Sequence, residues 1–305
     1  MTGGKKLTIC IPTFNRLNFV KKQLQFFEDE FKRNMQLTEN VEIIVADNAS
    51  KDETASFLKT LKKEKDFFNY VINPINLGLI GNVVKLLSMA TTEHIWFVGD
   101  DDDLKPGIVE KVLEILDSNQ KMEFIFLNYS IFNKKGFTGK TGLRLDSKEA
   151  VFDVFREHYG SLVLITACVH RRKNLNDLSS NSMFKWLSAP LLYSFYSGRN
   201  GPIYLTKDVW IDYRTGDASY AGFKTISKLK FEEYVPILES LPKFGYDKKE
   251  TKKTIRIFFQ KQSHAHLLYN GLNFKNSLRL YKYYSFKTIL YMPLNILQYT
   301  KRIMS

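Results

Sequence analysis

An α/β fold is predicted, with helices packed on a mainly parallel sheet, on three observations about the first 130 residues. Short apolar runs alternate with stretches of helical period, the rhythm of strand–helix–strand units. The stretches between the runs carry apolar residues at spacings of three and four, as over 17–33, the mark of a helix with one buried face. Polar, Asp- and Asn-rich segments follow several of the runs, where ligands of parallel sheets collect.

The elements follow in order. LTICI (7–11) reads as a buried strand, and Pro12, which has no N–H for a ladder, marks its end. Leu17, Val20, Leu24, Phe27 and Phe31 recur at spacings of three and four, one face of a helix over 17–33. VEIIVAD (41–47) is the second strand. A helix over 50–63 is expected to start in a capping box, Ser50 as N-cap and Glu53 three residues on. FNYVIN (68–73) is a third strand, NVVKLLSMA (82–90) a helix, and HIWFVGD (94–100) a fourth strand. Pro106 stands near the first position of a helix over 106–119, and FIFLNYSIF (124–132) is another strand. Beyond it, 149–160 reads as helix, 161–172 as a strand with a basic turn, and 201–214 as extended. An aromatic-rich helix over 185–198 is closed by Gly198, and 223–305 is mostly helical.

The chain has 305 residues, enough for one large core and a smaller appendage. Composition is 44% hydrophobic and 25% charged, which excludes global disorder. No run of about 18 apolar residues suggests a membrane span, and the short apolar run at 7–11 lacks the length of a secretory signal, so a cytoplasmic location is expected. Two cysteines, Cys10 and Cys168, are too few for a disulfide framework or a thiolate zinc site. The net charge of +13 is uneven. Residues 222–305 hold 16 Lys/Arg against 5 Asp/Glu, a net +11, and no acid follows Glu250. Such a tail suggests an anionic partner, phospholipid, nucleic acid or a phosphorylated substrate, and the other reading is a solvated basic helix face.

IWFVGDDDDLKPG (95–107) sets Asp100, Asp101, Asp102 and Asp103 at the mouth of a buried strand. Like charges this close repel, and burial worsens the repulsion. A hard divalent cation with oxygen ligands removes the conflict. PTFNR (12–16) and DNAS (47–50) end two other strands, and a parallel sheet brings all three segments to one edge.

Taken in order, ICIPTFNR, IIVADNASKDET, NLGLIGN and IWFVGDDDDLKPG resemble glycosyltransferase family 2, enzymes of the GT-A fold. The resemblance is specific over 7–110 and extends more loosely to about residue 220. It implies a GT-A domain over 1–221, with a nucleotide-binding half (1–130) and an acceptor half (131–221), followed by a basic, aromatic-rich helical region over 222–305. It implies metal-dependent, inverting transfer of a sugar from a nucleotide-diphosphate donor to a glycan or lipid-linked acceptor, as in cell-surface polysaccharide assembly. By resemblance, Asp102 contacts Mn²⁺ or Mg²⁺, Asp100 faces the metal or ribose, and Asp101 completes the Asp-x-Asp element. Pro12, Thr13 and Phe14 lie against base and ribose, and Arg16 reaches a phosphate. Asp47 reads the base, favouring a UDP- or dTDP-sugar over GDP or CDP. Relatives often carry two acids there, whereas this chain has Asn48 beside Asp47. Asn76, Gly78 and Asn82 shape a loop against the nucleotide.

An inverting member needs a general base for the acceptor hydroxyl. The matching segment, 181–192, contains no Asp, Glu or His. Asp177 is the nearest candidate, with Asp217 and His170 as alternatives, while Arg214 could close over the donor. A nucleotide-sugar-binding protein with little transferase activity is therefore the rival reading. The tail mixes Lys and Arg with Tyr, Phe, Leu and Ile, which suits a helix lying on an anionic membrane at the inner face of the cell membrane; core packing or self-association is the other reading. Nucleic acid is not expected as a partner, because the predicted functional edge is acidic.

Overall fold

The computed structural model describes residues 4–131, 134–213, 223–272, 278–290 and 293. The chain divides into two compact units, 1–151 with 160–215, and 152–159 with 216–305.

The first unit is built on one sheet. Its strands are β1 (Leu7–Thr13), β2 (Val41–Asp47), β3 (Asn69–Ile72), β4 (His94–Phe97), β5 (Asp103–Leu104), β6 (Phe124–Ile131), β7 (Lys134–Lys135), β8 (Gly142–Arg144), β9 (Cys168–Arg171) and β10 (Ile203–Asp212). The order is β3-β2-β1-β4-β9-β6-β10-β5, with β7 beside β6 and β8 beside β10. The helices are α1 (Leu17–Arg33), α2 (Leu37–Asn40), α3 (Thr54–Glu64), α4 (Gly78–Met89), α5 (Ile108–Ser118), α6 (Ser147–Glu157), α7 (Arg172–Leu178) and α8 (Ala189–Ser197), with α6 continuing into the second unit.

The half of the sheet from β3 to β4 is wholly parallel, as the strand–helix rhythm predicts. The other half is mixed. β10 runs parallel to β6, but β9 is antiparallel to both β4 and β6, and β5, β7 and β8 are antiparallel additions. Apolar pattern reports burial and not direction, so the reversal of β9 left no mark on its sequence. β1 and β4 are sealed between layers, with Ile9, Ile11, Ile95 and Trp96 fully buried.

Several boundaries differ from the sequence reading. β1 continues through Pro12 to Thr13. The Cys10 carbonyl accepts from Val98 N–H, so alternation turns Pro12 toward the same side, past the last β1–β4 pair at Cys10 and Phe97, where no ladder donor is required. The capping box does not form: Ser50 turns back to Asp47, and α3 starts later, with the Asp52 carboxylate accepting from Thr54 N–H at 3.0 Å. α4 begins earlier than expected, at Gly78, whose φ of +73° suits a residue without Cβ. α5 starts at Ile108 with Gly107 as its N-cap, so Pro106 stands before the helix rather than near its first position, and the buried Glu30 carboxylate accepts from Gly107 N–H at 2.9 Å. Gly198 closes α8 with φ −77°, so it is not a left-handed cap; a Cβ there would strike Val151.

The second unit is helical, with α9 (Phe223–Lys228), α10 (Val235–Ser240) and α11 (Lys248–Leu272). Phe231, Leu238, Ile255, Phe258 and Phe259 form its core, and Arg156 pairs with Glu250 at 2.6 Å. His266 is fully buried there, with Nδ1 2.7 Å from the Tyr284 hydroxyl. Among the described residues, no helix is long and apolar enough to cross a membrane.

Candidate functional site

Four strand ends make the site. β3, β2, β1 and β4 are parallel neighbours, so the segments after Ile72, Asp47, Thr13 and Phe97 emerge at one edge. Backbone bonds stitch them together: Asn48 N–H donates to Thr13 O at 2.9 Å, and Asn73 N–H to Asp47 O at 2.8 Å.

The acidic segment is held from both sides. Asp100, 6% exposed, accepts from the Thr13 hydroxyl at 2.7 Å and from Arg16 at 3.1 Å. Arg16 also pairs with Asp101 at 2.5 Å. Asp102, 5% exposed, accepts from the Thr166 hydroxyl, whose oxygen takes the Gly99 N–H at 2.8 Å. Gly99 has no room for a side chain, since a Cβ would lie 2.9 Å from the Asp102 carboxylate. Asp103 turns away from this cluster. It pairs with Lys22 and, as part of β5, lies across from Asp212 of β10.

The electrostatics match the crowding. Burial pushes the Asp100 carboxyl up to about 6, against the pull of Thr13 and Arg16. Burial, with the charges of Asp101, Asp100 and Asp103, pushes Asp102 up to about 7. Two carboxylates held this uncomfortably are suited to a cation. Among the described residues no cluster of three or more His, Cys, Asp or Glu is arranged to hold a metal. Asp100 and Asp102 are the kind of ligand an ion of the Mg²⁺ type takes, one or two protein carboxylates with phosphate oxygens and water filling its shell.

The β2 end is organised around Asp47 and Asn48. Asp47 is fully buried; Oδ1 accepts from Ser50, and Oδ2 has no hydrogen-bond partner among the described residues. Ala49 holds φ +62° and Asn15 φ +54°, a left-handed conformation that costs ~1 kcal/mol at an alanine. Asn48 is saturated by protein. Its Nδ2 donates to Asn76 Oδ1 at 2.8 Å and Gly78 O at 3.2 Å, while its Oδ1 accepts from Asn73 at 3.1 Å and Leu77 N–H at 2.9 Å. Asn73 also donates to Asn82, which ties back to Ala46 O.

Pro12, Thr13, Phe14, Arg16, Asp47, Asn76, Gly78, Asp100, Asp101 and Asp102 thus gather at one edge, with Pro12 buried and Phe14 half-buried. Asp177, the nearest candidate for the base, lies away from this edge. It is exposed inside α7, whose first N–H bonds Glu93 O at the amino end of β4, the opposite edge of the sheet. His170 is also a poor base. It is buried in β9 opposite Ile95, bonds Ser197 at 3.0 Å, and burial lowers its pKa to about 3. Asp217 and Arg214 lie outside the described residues. Sequence reasoning missed Thr166 and Asn73. Nothing local marks Thr166, whereas Asn73 could have been suspected as an Asn ending a strand.

A profile described as Glycosyl transferase family 2 matches residues 8–176, which contain every segment of this edge. The chain belongs to glycosyl transferase family 2. It is 26% identical over 263 residues to the GalNAc(5)-diNAcBac-PP-undecaprenol beta-1,3-glucosyltransferase of Campylobacter jejuni, covering 84% of this chain and 81% of that one. It is 30% identical over 113 residues to the abequosyltransferase RfbV of Salmonella typhimurium, covering 37% of this chain and 33% of that one. Among solved structures, S. aureus TarS superposes with TM-score 0.65 at 13% identity, covering 93% of this chain but only 50% of TarS. TarS 1–349 in complex with UDP-GlcNAc gives TM-score 0.59 at 16% identity, covering 90% and 77% of the two chains. The mannosyltransferase PcManGT of Pyrobaculum calidifontis, in complex with GDP-Man and Mn²⁺, gives 0.59 at 13% identity, covering 92% and 74%. The GT-A fold expected from the motifs is the fold found, and the protein is a glycosyltransferase.

Proposed function

We propose that this glycosyltransferase moves a sugar from a UDP- or dTDP-sugar to a hydroxyl of a lipid-linked glycan, with inversion and with a divalent metal, during cell-surface polysaccharide assembly at the inner face of the membrane. The observation that carries this reading is the buried pair Asp100 and Asp102 at the edge where Asp47 and Arg16 also converge. The lipid-linked acceptor is suggested by the PP-undecaprenol glycan in the name of the C. jejuni relative.

Asp102, assisted by Asp100, would hold Mn²⁺ or Mg²⁺, which supplies charge neutralisation at the departing diphosphate. Arg16 is placed to donate to a phosphate oxygen. The unpartnered Oδ2 of Asp47 suits the imide N–H of uracil or thymine. Asn48 is committed to Asn73, Asn76, Leu77 and Gly78, so it positions the loop and leaves base reading to Asp47. Pro12, Thr13, Phe14, Asn76 and Gly78 wall the nucleotide. The acceptor hydroxyl oxygen bonds to the anomeric carbon as the bond to diphosphate breaks, and its proton passes to a carboxylate. Asp217 is the better candidate for that base than Asp177. It follows Asp212, which faces Asp103 across the β5–β10 pair, by five residues, a tether of at most ~18 Å.

Calorimetry with UDP, dTDP, GDP and CDP, with and without Mn²⁺, tests the donor site. Uridine or thymidine diphosphate should bind in a metal-dependent way, and absence of binding by all four would sink the reading. Replacing Asp217 with Asn should abolish turnover and leave nucleotide affinity intact.

A further inference from the structure

Residues 286–290 of the second unit form a helical turn built inside out. Ser285 and Thr288 cap one another, Ser285 N–H donating to Thr288 Oγ1 at 3.1 Å and Thr288 N–H to Ser285 Oγ at 3.3 Å. Thr288 is fully buried, so the polar side of the turn faces the protein. The apolar side faces outward: Phe286 is 78% exposed, Ile289 59% and Leu290 58%. Their spacing of three and four residues makes one continuous stripe. Isolated exposed apolar residues need no explanation, but a stripe with polar residues turned inward does.

Charge indicates what covers it. Lys287 is exposed within the stripe, and no ion pair holds it among the described residues. Tyr281, five residues before Phe286, is 38% exposed beside Lys282, which is exposed and pairs with Glu239 at 2.9 Å. On α11 of the same unit, Lys248, Lys249, Lys252 and Arg256 are exposed, as is Lys253, which pairs with Glu250 at 3.2 Å. With a net +11 over 222–305 and no acid after Glu250, self-association of this surface would bring like charges together, whereas an anionic bilayer is complementary to it. We propose that Phe286, Ile289 and Leu290 seat the protein on an anionic lipid surface, entering the headgroup–acyl boundary while Lys287 pairs with lipid phosphate and the net positive charge of the unit favours the anionic leaflet. This deepens the lipid-linked acceptor reading and rests on it for its biological sense, but its physical basis is independent of the donor site.

The test is co-sedimentation of the full chain with vesicles of phosphatidylcholine alone or with phosphatidylglycerol, neither of which carries a glycan acceptor. Wild type should bind only the phosphatidylglycerol vesicles and be released by salt. The triple variant F286S/I289S/L290S should bind on the order of a hundredfold more weakly, with unchanged thermal stability. Lys287→Glu, which keeps the apolar stripe, should weaken binding and make its loss with salt shallower, because one cationic contact is gone. Failure of wild type to bind, or full binding by the triple variant, overturns the proposal. Lower thermal stability in the triple variant would mean the chain itself covers the stripe. A dimer in light scattering that the variant dissociates would assign the face to a second copy. Either result also overturns it. Calorimetry with free nucleotide reads the donor site separately, so failure at the membrane and failure of the transferase reading are distinguishable.

Discussion

Asp102→Asn is expected to change stability and ligand binding in opposite directions. The substitution keeps size and a partner for the Thr166 hydroxyl but removes one charge from a group 5% exposed beside three other acids. With the Asp102 carboxyl pushed up to about 7 from 3.8, holding it ionised at pH 8 costs the folded metal-free protein up to ~4 kcal/mol. Solvent relaxation lowers that bound, so a gain of about 1–3 kcal/mol is expected in the variant, a rise of several degrees in melting temperature. The assay is differential scanning calorimetry at pH 8, without metal and then with Mn²⁺ and UDP. Wild type should melt lower than the variant in the metal-free state and overtake it when both ligands are present. The variant should show little ligand-dependent shift. A variant that is no more stable than wild type without metal would falsify the electrostatic account of the cluster. One that keeps the full Mn²⁺-dependent shift would remove Asp102 from the donor site.

Arg16→Gln removes the charge shared by Asp100 and Asp101 and should weaken nucleotide binding by about 10- to 100-fold, read by calorimetry; unchanged affinity would place the phosphates elsewhere. Asn48→Asp turns a donor into an acceptor facing Asn76 Oδ1 at 2.8 Å and Gly78 O at 3.2 Å. It should cost about 2–4 kcal/mol in urea melts and raise the donor KM more than it lowers kcat; equal stability would mean the amide ladder is dispensable. Burial lowers the His170 pKa to about 3, so between pH 6.5 and 3 the folded state binds fewer protons than the unfolded chain. That stability is complete above pH 6.5 and is lost as pH falls, at up to ~1.4 kcal/mol per pH unit. His170→Asn should flatten the loss between pH 6.5 and 5, and an identical pH slope in the two proteins would rule out His170 as its source.

The parallel half of the fold was legible because β1, β2 and β4 are largely apolar runs and a helix follows each of β1, β2 and β3. α1 is the plainest case, since Val20, Leu24, Phe27 and Phe31 are the buried face the spacing predicts. The mixed half was not legible. β5 is two residues long and exists through its pairing with β10, and the direction of β9 is set by its neighbours β4 and β6. The capping box at Ser50 failed for a similar reason. A side chain that could serve the helix is drawn instead to the buried carboxylate of Asp47, a stronger acceptor.

The donor edge shows how far residue types carry a reading. Carboxylates at strand ends announce themselves, because nothing in a buried ladder explains them. Their partners do not: Thr166 holds Asp102 from 64 residues away. The change from a second acid to Asn48 looks from sequence like the loss of an acceptor from the base pocket. In the folded chain it is the demand of its surroundings. Asn76 Oδ1 and Gly78 O both point at that position and need a donor, while Asn73 and Leu77 N–H need an acceptor there. Among the natural side chains of this size, a primary amide alone supplies both. A carboxylate would leave two carbonyl oxygens facing negative charge in a site 3% exposed. The Asn at 48 therefore belongs with the Asn residues at 73, 76 and 82 as one unit, and the buried carboxylate of Asp47 stands outside that network.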